Sequence, residues 1–184
     1  SEEVEEQKAK YTSLLTPEYV SGADLPNGRA LFRETCWACH DLFGDGLPVG
    51  PGLTGSNRAD LDYILSNILD PSAEVGREYL MTTVTMNDGR VISGMVVDEN
   101  NETITLQTGA TIEVLPKGRM GRDQQGNPKV ARSAFSMMPP GQLQRMGDTD
   151  IRDLIGYLAS PVQVPEAMTK AALPQFFNGR DLTR

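Results

Sequence analysis

Histidine occurs once in these 184 residues, cysteine twice and tryptophan once, and aromatic side chains make up only 6% of the chain. So small a stock excludes a histidine-rich metal centre and allows at most one disulfide. Few large side chains are available for a core. Basic residues are outnumbered, 17 Lys plus Arg against 25 Asp plus Glu, for a net charge of -8. They are also scattered, so no stripe could neutralise phosphates, and nucleic acid is not an expected partner. No apolar run approaches the roughly 18 residues of a spanning helix, so no transmembrane segment is expected. The first ten residues, SEEVEEQKAK, lack the basic start and apolar middle of a signal peptide, and a leader is expected to be absent from this chain. The length suits one elaborated domain or two very small ones, and it allows a core that does not depend on disulfides.

What is there is concentrated. Both cysteines and the histidine lie in Cys36-Trp37-Ala38-Cys39-His40. The order C-x-x-C-H reads as covalent attachment of a c-type haem, each thiol adding to a vinyl group and the adjacent imidazole coordinating iron. Two thiols on one helical turn match the separation of the two vinyls. Three rival readings exist. A structural zinc site wants four Cys or His ligands, and only carboxylates could complete it here. A thioredoxin-like dithiol would follow a buried strand, whereas the residues before Cys36 read as helical. A chance match with two free cysteines is the third.

The flanks extend the pattern. Asn27 to Cys36 carries helix formers, with Leu31, Phe32 and Thr35 spaced to share a face, and a Gly/Pro-rich stretch from Gly44 to Gly55 follows. Helix, haem motif and Gly50-Pro51-Gly52-Leu53 in that order resemble the class I cytochrome c family. The resemblance implies a mainly α cytochrome c fold. It also implies that the Pro51 carbonyl accepts the Nδ1–H of the ligand histidine, with Leu53 beside the haem; otherwise Pro51 is an ordinary loop proline. A closing helix is read after Asp148, taken as its N-cap, with Ile151, Leu154, Ile155 and Leu158 on one face and Ser160-Pro161 as its stop. In the family the first and last helices cross at a glycine and an aromatic, which Gly28 and Tyr157 resemble, and Phe32 is expected near the haem.

With one histidine, the other axial ligand is Met, Lys, water or nothing. Eight methionines compete. Met81, Met86 and Met95 lie in alternating β-like segments, Met120 in a charged loop, Met146 just before the last helix and Met168 in the tail. Met137-Met138-Pro139-Pro140-Gly141 is held extended by its prolines and stands where class I cytochromes c place the axial Met. Met138 is preferred because it directly precedes proline, with Met137 as the alternative. Thioether opposite imidazole raises the reduction potential, which suits an electron carrier.

Between the helical segment Asp60 to Leu69 and these methionines the sequence reads as β. Tyr79 to Met86, Arg90 to Val97, Glu102 to Gln107 and Ala110 to Leu115 are rich in Val, Ile, Thr and Met and are separated by three tight turns. A meander or small barrel is expected, then an exposed loop over Lys117 to Lys129. This arrangement resembles a narrower group, the planctomycete-type haem-binding domain, which is a class I cytochrome c with a β insertion before its Met loop. The matching stretches run from Gly28 to Gly55, through Ile68-Leu69-Asp70-Pro71, Asp88 to Val91 with Gly94, and Met138-Pro139-x-Gly141-x-Leu143, to Asp150 to Leu158. That group often has Leu where this chain has Met137.

The expected fold class is therefore α+β overall, a mainly α cytochrome c fold with an inserted small antiparallel sheet. Residues 1–21 form an acidic extension that either packs on the domain or is a linker, 22–160 the monohaem domain with its insertion at about 77–132, and 161–184 a tail. Leu173 to Leu182 resembles the opening strand of a jelly-roll domain that can follow such modules. The function expected is a monohaem c-type cytochrome carrying single electrons, not an enzyme, with Cys36 and Cys39 as tethers, His40 and Met138 as iron ligands and Pro51 and Leu53 in the haem site. Propionate donors are sought among Arg58, Arg77, Tyr63 and Tyr79. The alternatives are a gas sensor or binder with a displaceable Met, and an electron-accepting subunit of a dehydrogenase complex that docks through the insertion. Haem attachment implies the periplasm or an equivalent compartment, and the negative charge implies a redox partner with a basic patch.

Overall fold

The computed structural model describes residues 1–166. The jelly-roll resemblance over 173–182 lies outside them. Five helices, α1 (Glu2–Leu14), α2 (Pro17–Ser21), α3 (Leu25–Thr35), α4 (Leu61–Leu69) and α5 (Asp148–Ala159), enclose one apolar core. Between α4 and α5 the chain forms an antiparallel sheet of β1 (Leu80–Thr85), β2 (Val91–Glu99), β3 (Thr103–Thr108), β4 (Thr111–Pro116) and β5 (Val130–Ser136), in the order β4-β3-β2-β1-β5.

Local chemistry sets the helix ends. The Asp24 carboxylate accepts the Asn27 N–H at 3.1 Å to start α3, and Asp60 accepts those of Asp62 and Tyr63 to start α4. The last helix differs from expectation. Its N-cap is Gly147, with no side-chain cap, and Asp148 is instead the first helical residue, where a carboxylate complements the positive end of the helix.

Helices α3 and α5 cross at Gly28. A Cβ there would run into the Asp153 carbonyl and come within 2.7 Å of Tyr157 Cβ. Only hydrogen at this position lets the backbones meet, and the Phe32 and Tyr157 rings then pack edge to face at 5.6 Å. The crossing is also pinned by Asp153, 2% exposed, whose carboxylate accepts the Asp24 N–H and an Asn27 side-chain N–H, each at 3.0 Å, and is paired with Arg152. Burial alone would raise this carboxyl's pKa, but the donors from Asn27, Arg152 and the Asp24 backbone outweigh it and hold the group below the usual range. Of the two options for residues 1–21, packing is observed, since Tyr11 and Leu15 are buried in the helical core.

The sheet has a separate core of Val84, Met86, Ile104, Leu106, Leu115 and Met120. Four strands fall where alternation places them, and β5 adds a fifth that the sequence reading left out. Strand β5 closes the sheet against β1 rather than continuing the meander from β4. Its extension to Ser136 brings the sheet to within two residues of Met138. The stretch expected as an exposed loop, Lys117 to Lys129, places Met120 in the sheet core, bridged to Met86.

Candidate functional site

Helix α3 ends at Thr35, and the chain turns once more through the cysteine cluster. The Cys36 and Trp37 amides both donate to the Phe32 carbonyl, and the Cys39 and His40 amides both donate to that of Cys36. Cys36, Cys39 and His40 thus share one turn. A loop wraps it, with Leu47 N–H on the Trp37 carbonyl and Val49 and Gly50 N–H on that of Cys39. Asp45 anchors the loop, accepting from Trp37 Nε1 at 2.9 Å and pairing with Arg29 and Arg33. Burial would raise the Asp45 carboxyl's pKa, but these donors hold it below the usual carboxylate range.

His40 Nδ1 lies 2.8 Å from the Pro51 carbonyl oxygen. That oxygen can only accept, so the contact requires the proton on Nδ1 and leaves the Nε2 lone pair for a metal. Gly50 is part of the fit. A Cβ there would stand 2.9 Å from His40 Cε1 and 3.2 Å from Nδ1.

Beside this turn opens a mainly apolar cavity of about 320 Å³. Cys36, His40, Pro51 and Leu53 form one wall, Ile64 and Ile68 of α4 another, and Val75 and Tyr79 lie on the segment leading to β1. Ser136 and Met138 enter from the end of β5, and Leu158 from α5. The fold thereby gathers Cys36, His40, Pro51, Leu53 and Met138 around one space. Cys39 is exposed and does not line it, although the turn sets it beside His40. Met137 is half-buried and outside the lining.

Both cysteines are free. Burial, with a smaller contribution from Cys39, pushes the Cys36 thiol up to about 12, the reverse of the depression that activates a redox dithiol. Among the described residues no three His, Cys, Asp or Glu side chains gather to hold a metal ion.

The cavity suits a haem in its polar detail as well. The Arg58 guanidinium donates through Nη1 to the Leu158 and Ser160 carbonyls, at 2.6 and 2.8 Å, and lies 4.8 Å from the Phe43 ring centroid. Its Nε is buried at the cavity without a partner among the described residues. An orphaned guanidinium N–H beside an apolar space fits the carboxylate edge of a haem. Tyr63 and Tyr79 also line the cavity. Arg77 does not, lying instead on a separate concavity with Leu80, Thr82, Val96 and Arg132.

Sequence reasoning missed two residues near Met138. Ser136 Oγ accepts the Met138 N–H at 3.1 Å, and Ser72 Oγ accepts the Ser136 N–H at the same distance. A serine two residues before a methionine was the signal for the first. None marks Ser72, which is distant in sequence. The family model of cytochrome c matches residues 25–161, spanning α3 to the end of α5. No curated protein matches the chain.

Proposed function

The chain belongs to the cytochrome c family, a family of electron-transfer proteins that bind haem c covalently, and within it we propose a monohaem electron carrier rather than an enzyme. One observation carries this reading. The Cys-x-x-Cys-His turn, with His40 Nδ1 on the Pro51 carbonyl, faces a cavity that Met138 enters from another part of the chain. Cys36 and Cys39 are the tethers, His40 and Met138 the axial ligands, and Leu53 an apolar wall. The order of helix, haem motif, sheet and Met-Pro supports membership of the planctomycete-type group, with β1 to β5 as the insertion.

The haem, when bound, supplies an iron that changes oxidation state by one electron. The protein's residues keep that change easy. Pro51 fixes the His40 tautomer, Met138 would hold the iron through a soft thioether, and the apolar side chains of α4 would keep water from it. Arg58, through its free Nε–H, is the proposed propionate partner, with Tyr63 and Tyr79 as further donors.

The redox partner presents a basic patch. The whole net charge of -8 falls in residues 1–76, with five basic and thirteen acidic residues. Glu5, Asp60, Asp62, Asp70 and Glu74 line a concavity that shares Tyr63, Asn67 and Glu74 with the haem cavity. No helix among the described residues is long and apolar enough to cross a membrane, and haem attachment favours the periplasm or an equivalent compartment.

The optical spectrum tests the proposal. A low-spin ferric form with a near-infrared sulfur-to-iron band, lost in Met138→Ala and kept in Met137→Ala, is expected, with no response of the reduced form to carbon monoxide. A high-spin ferric spectrum at neutral pH would turn the assignment toward the gas binder.

A further inference from the structure

We infer that Ser72 and Ser136 act as positioning residues that latch Met138 to the helical core and hold it at the iron against displacement. The inference rests on Met138 being the axial ligand. Met138 does not belong to a helix, and the two prolines after it provide no N–H for anchoring. Side chains hold its own N–H and the carbonyl of the residue after it. The Ser136 hydroxyl accepts the Met138 N–H, and the Gln142 amide donates to the Pro139 carbonyl at 3.1 Å.

Ser136 is tied in turn to the helical part of the molecule. Its N–H donates to Ser72 Oγ, in the turn just after α4, across 64 residues of sequence. The whole sheet lies between those two serines. Ser136 also pairs with Leu80 at the start of β1, and the β1/β5 register shifts immediately beyond that pair. The ladder therefore provides only one paired position next to the methionine before it slips. Ser72 supplies the second hold and ties the end of β5 to α4, whose Ile64 and Ile68 wall the same cavity. Motion of the sheet is thus stopped at Ser136, two residues short of the ligand. A latched methionine favours a closed six-coordinate site over one opened by an incoming ligand.

The test is competition for the sixth position in the ferric holoprotein. Imidazole is titrated into wild type, Ser136→Ala, Ser72→Ala, Ser136→Thr and Met138→Ala while the near-infrared band is followed. Losing a hydrogen bond worth about 1 kcal/mol makes displacement about fivefold easier. Ser136→Ala should therefore bind imidazole about fivefold more tightly, Ser72→Ala should shift in the same direction, and Ser136→Thr, which keeps a hydroxyl, should restore wild-type affinity. Urea unfolding of each variant separates the latch from general stability, because a purely structural role would lower the urea midpoint without changing imidazole affinity. Unchanged affinity in Ser136→Ala and Ser72→Ala overturns the latch while leaving the ligand assignment intact. Should Ser136→Ala fail to fold, Ser72→Ala and Ser136→Thr decide by the same criteria. Persistence of the band in Met138→Ala overturns the ligand assignment, and the latch with it.

Discussion

The helical part and the sheet are built on opposite principles. The helical core carries all the excess negative charge, whereas residues 77–132 hold seven basic and seven acidic residues and are neutral. The sheet instead exposes apolar side chains, among them Val91, Val97, Ile112, Val114 and Phe135, the last 66% exposed. The two cores share no buried residue. At the cavity the two parts meet at the ends of the sheet, through Glu78 and Tyr79 before β1 and Ser136 at the end of β5. The difference is that the excess negative charge lies with the helical part, while the sheet keeps an apolar core of its own and reaches the cavity at its rim.

Four experiments would break or sharpen that contrast. The largest effect is expected for Gly28→Val. Overpacking typically costs about 1–3 kcal/mol, and the backbone collision at Asp153 should raise this to about 4 kcal/mol. Urea unfolding of the holoprotein followed by haem absorbance measures it, and a loss below about 1 kcal/mol would show that the helix crossing can relax. Leu106→Ala, at a fully buried position of the sheet, should cost about 3 kcal/mol in far-UV-detected unfolding yet leave the native near-infrared band unchanged. A shifted band would show that the two cores are coupled.

Asp153→Asn should cost about 2 kcal/mol at neutral pH by weakening the pinned crossing. Because its carboxyl titrates lower in the fold than in the unfolded chain, its stabilisation is complete above the unfolded value of about 3.9 and is lost as pH falls through the folded one. The variant should therefore show a shallower loss of stability on acidification, and an unchanged acid limb would remove Asp153 from that account. The smallest change in stability is expected for Glu74→Gln, on the rim shared by the acidic concavity and the haem cavity. It should leave the urea midpoint in place but slow association with a cationic redox partner at low salt, the difference vanishing as salt rises. Equal rates at low salt would place docking elsewhere.

Much of the helical part was legible because its signals are local. Leu31 and Phe32 mark a buried face at helical spacing, and the cysteine motif spans five residues. Four strands were legible from alternation and turn residues such as Asn87-Asp88-Gly89, where Gly89 adopts a positive φ of 88°. Strand β5 was not, since Val130–Ser136 shows no clean alternation in burial and pairs with β1 across more than forty residues. The expected cap at Asp148 failed because Asp is favoured both at the cap and in the first turn, and the sequence does not choose between them. Arg77 was a reasonable anion partner by composition, but the turn before β1 directs it to another concavity.

By itself the sequence determined the chemistry available: two thiols and one imidazole at a spacing that serves one cofactor, and no histidine for a second ligand. That follows from covalent reach within a single turn, which needs no tertiary information. Tertiary structure alone decided which residues converge. It brought the Pro51 carbonyl to His40 and set Met138, rather than Met137, in the cavity wall. It also left Arg58 Nε buried without a partner among the described residues and tied Ser136 to Ser72. Those contacts join segments separated by up to a hundred residues, and only helix crossing and strand pairing, driven by burial of the two cores, fix them in place.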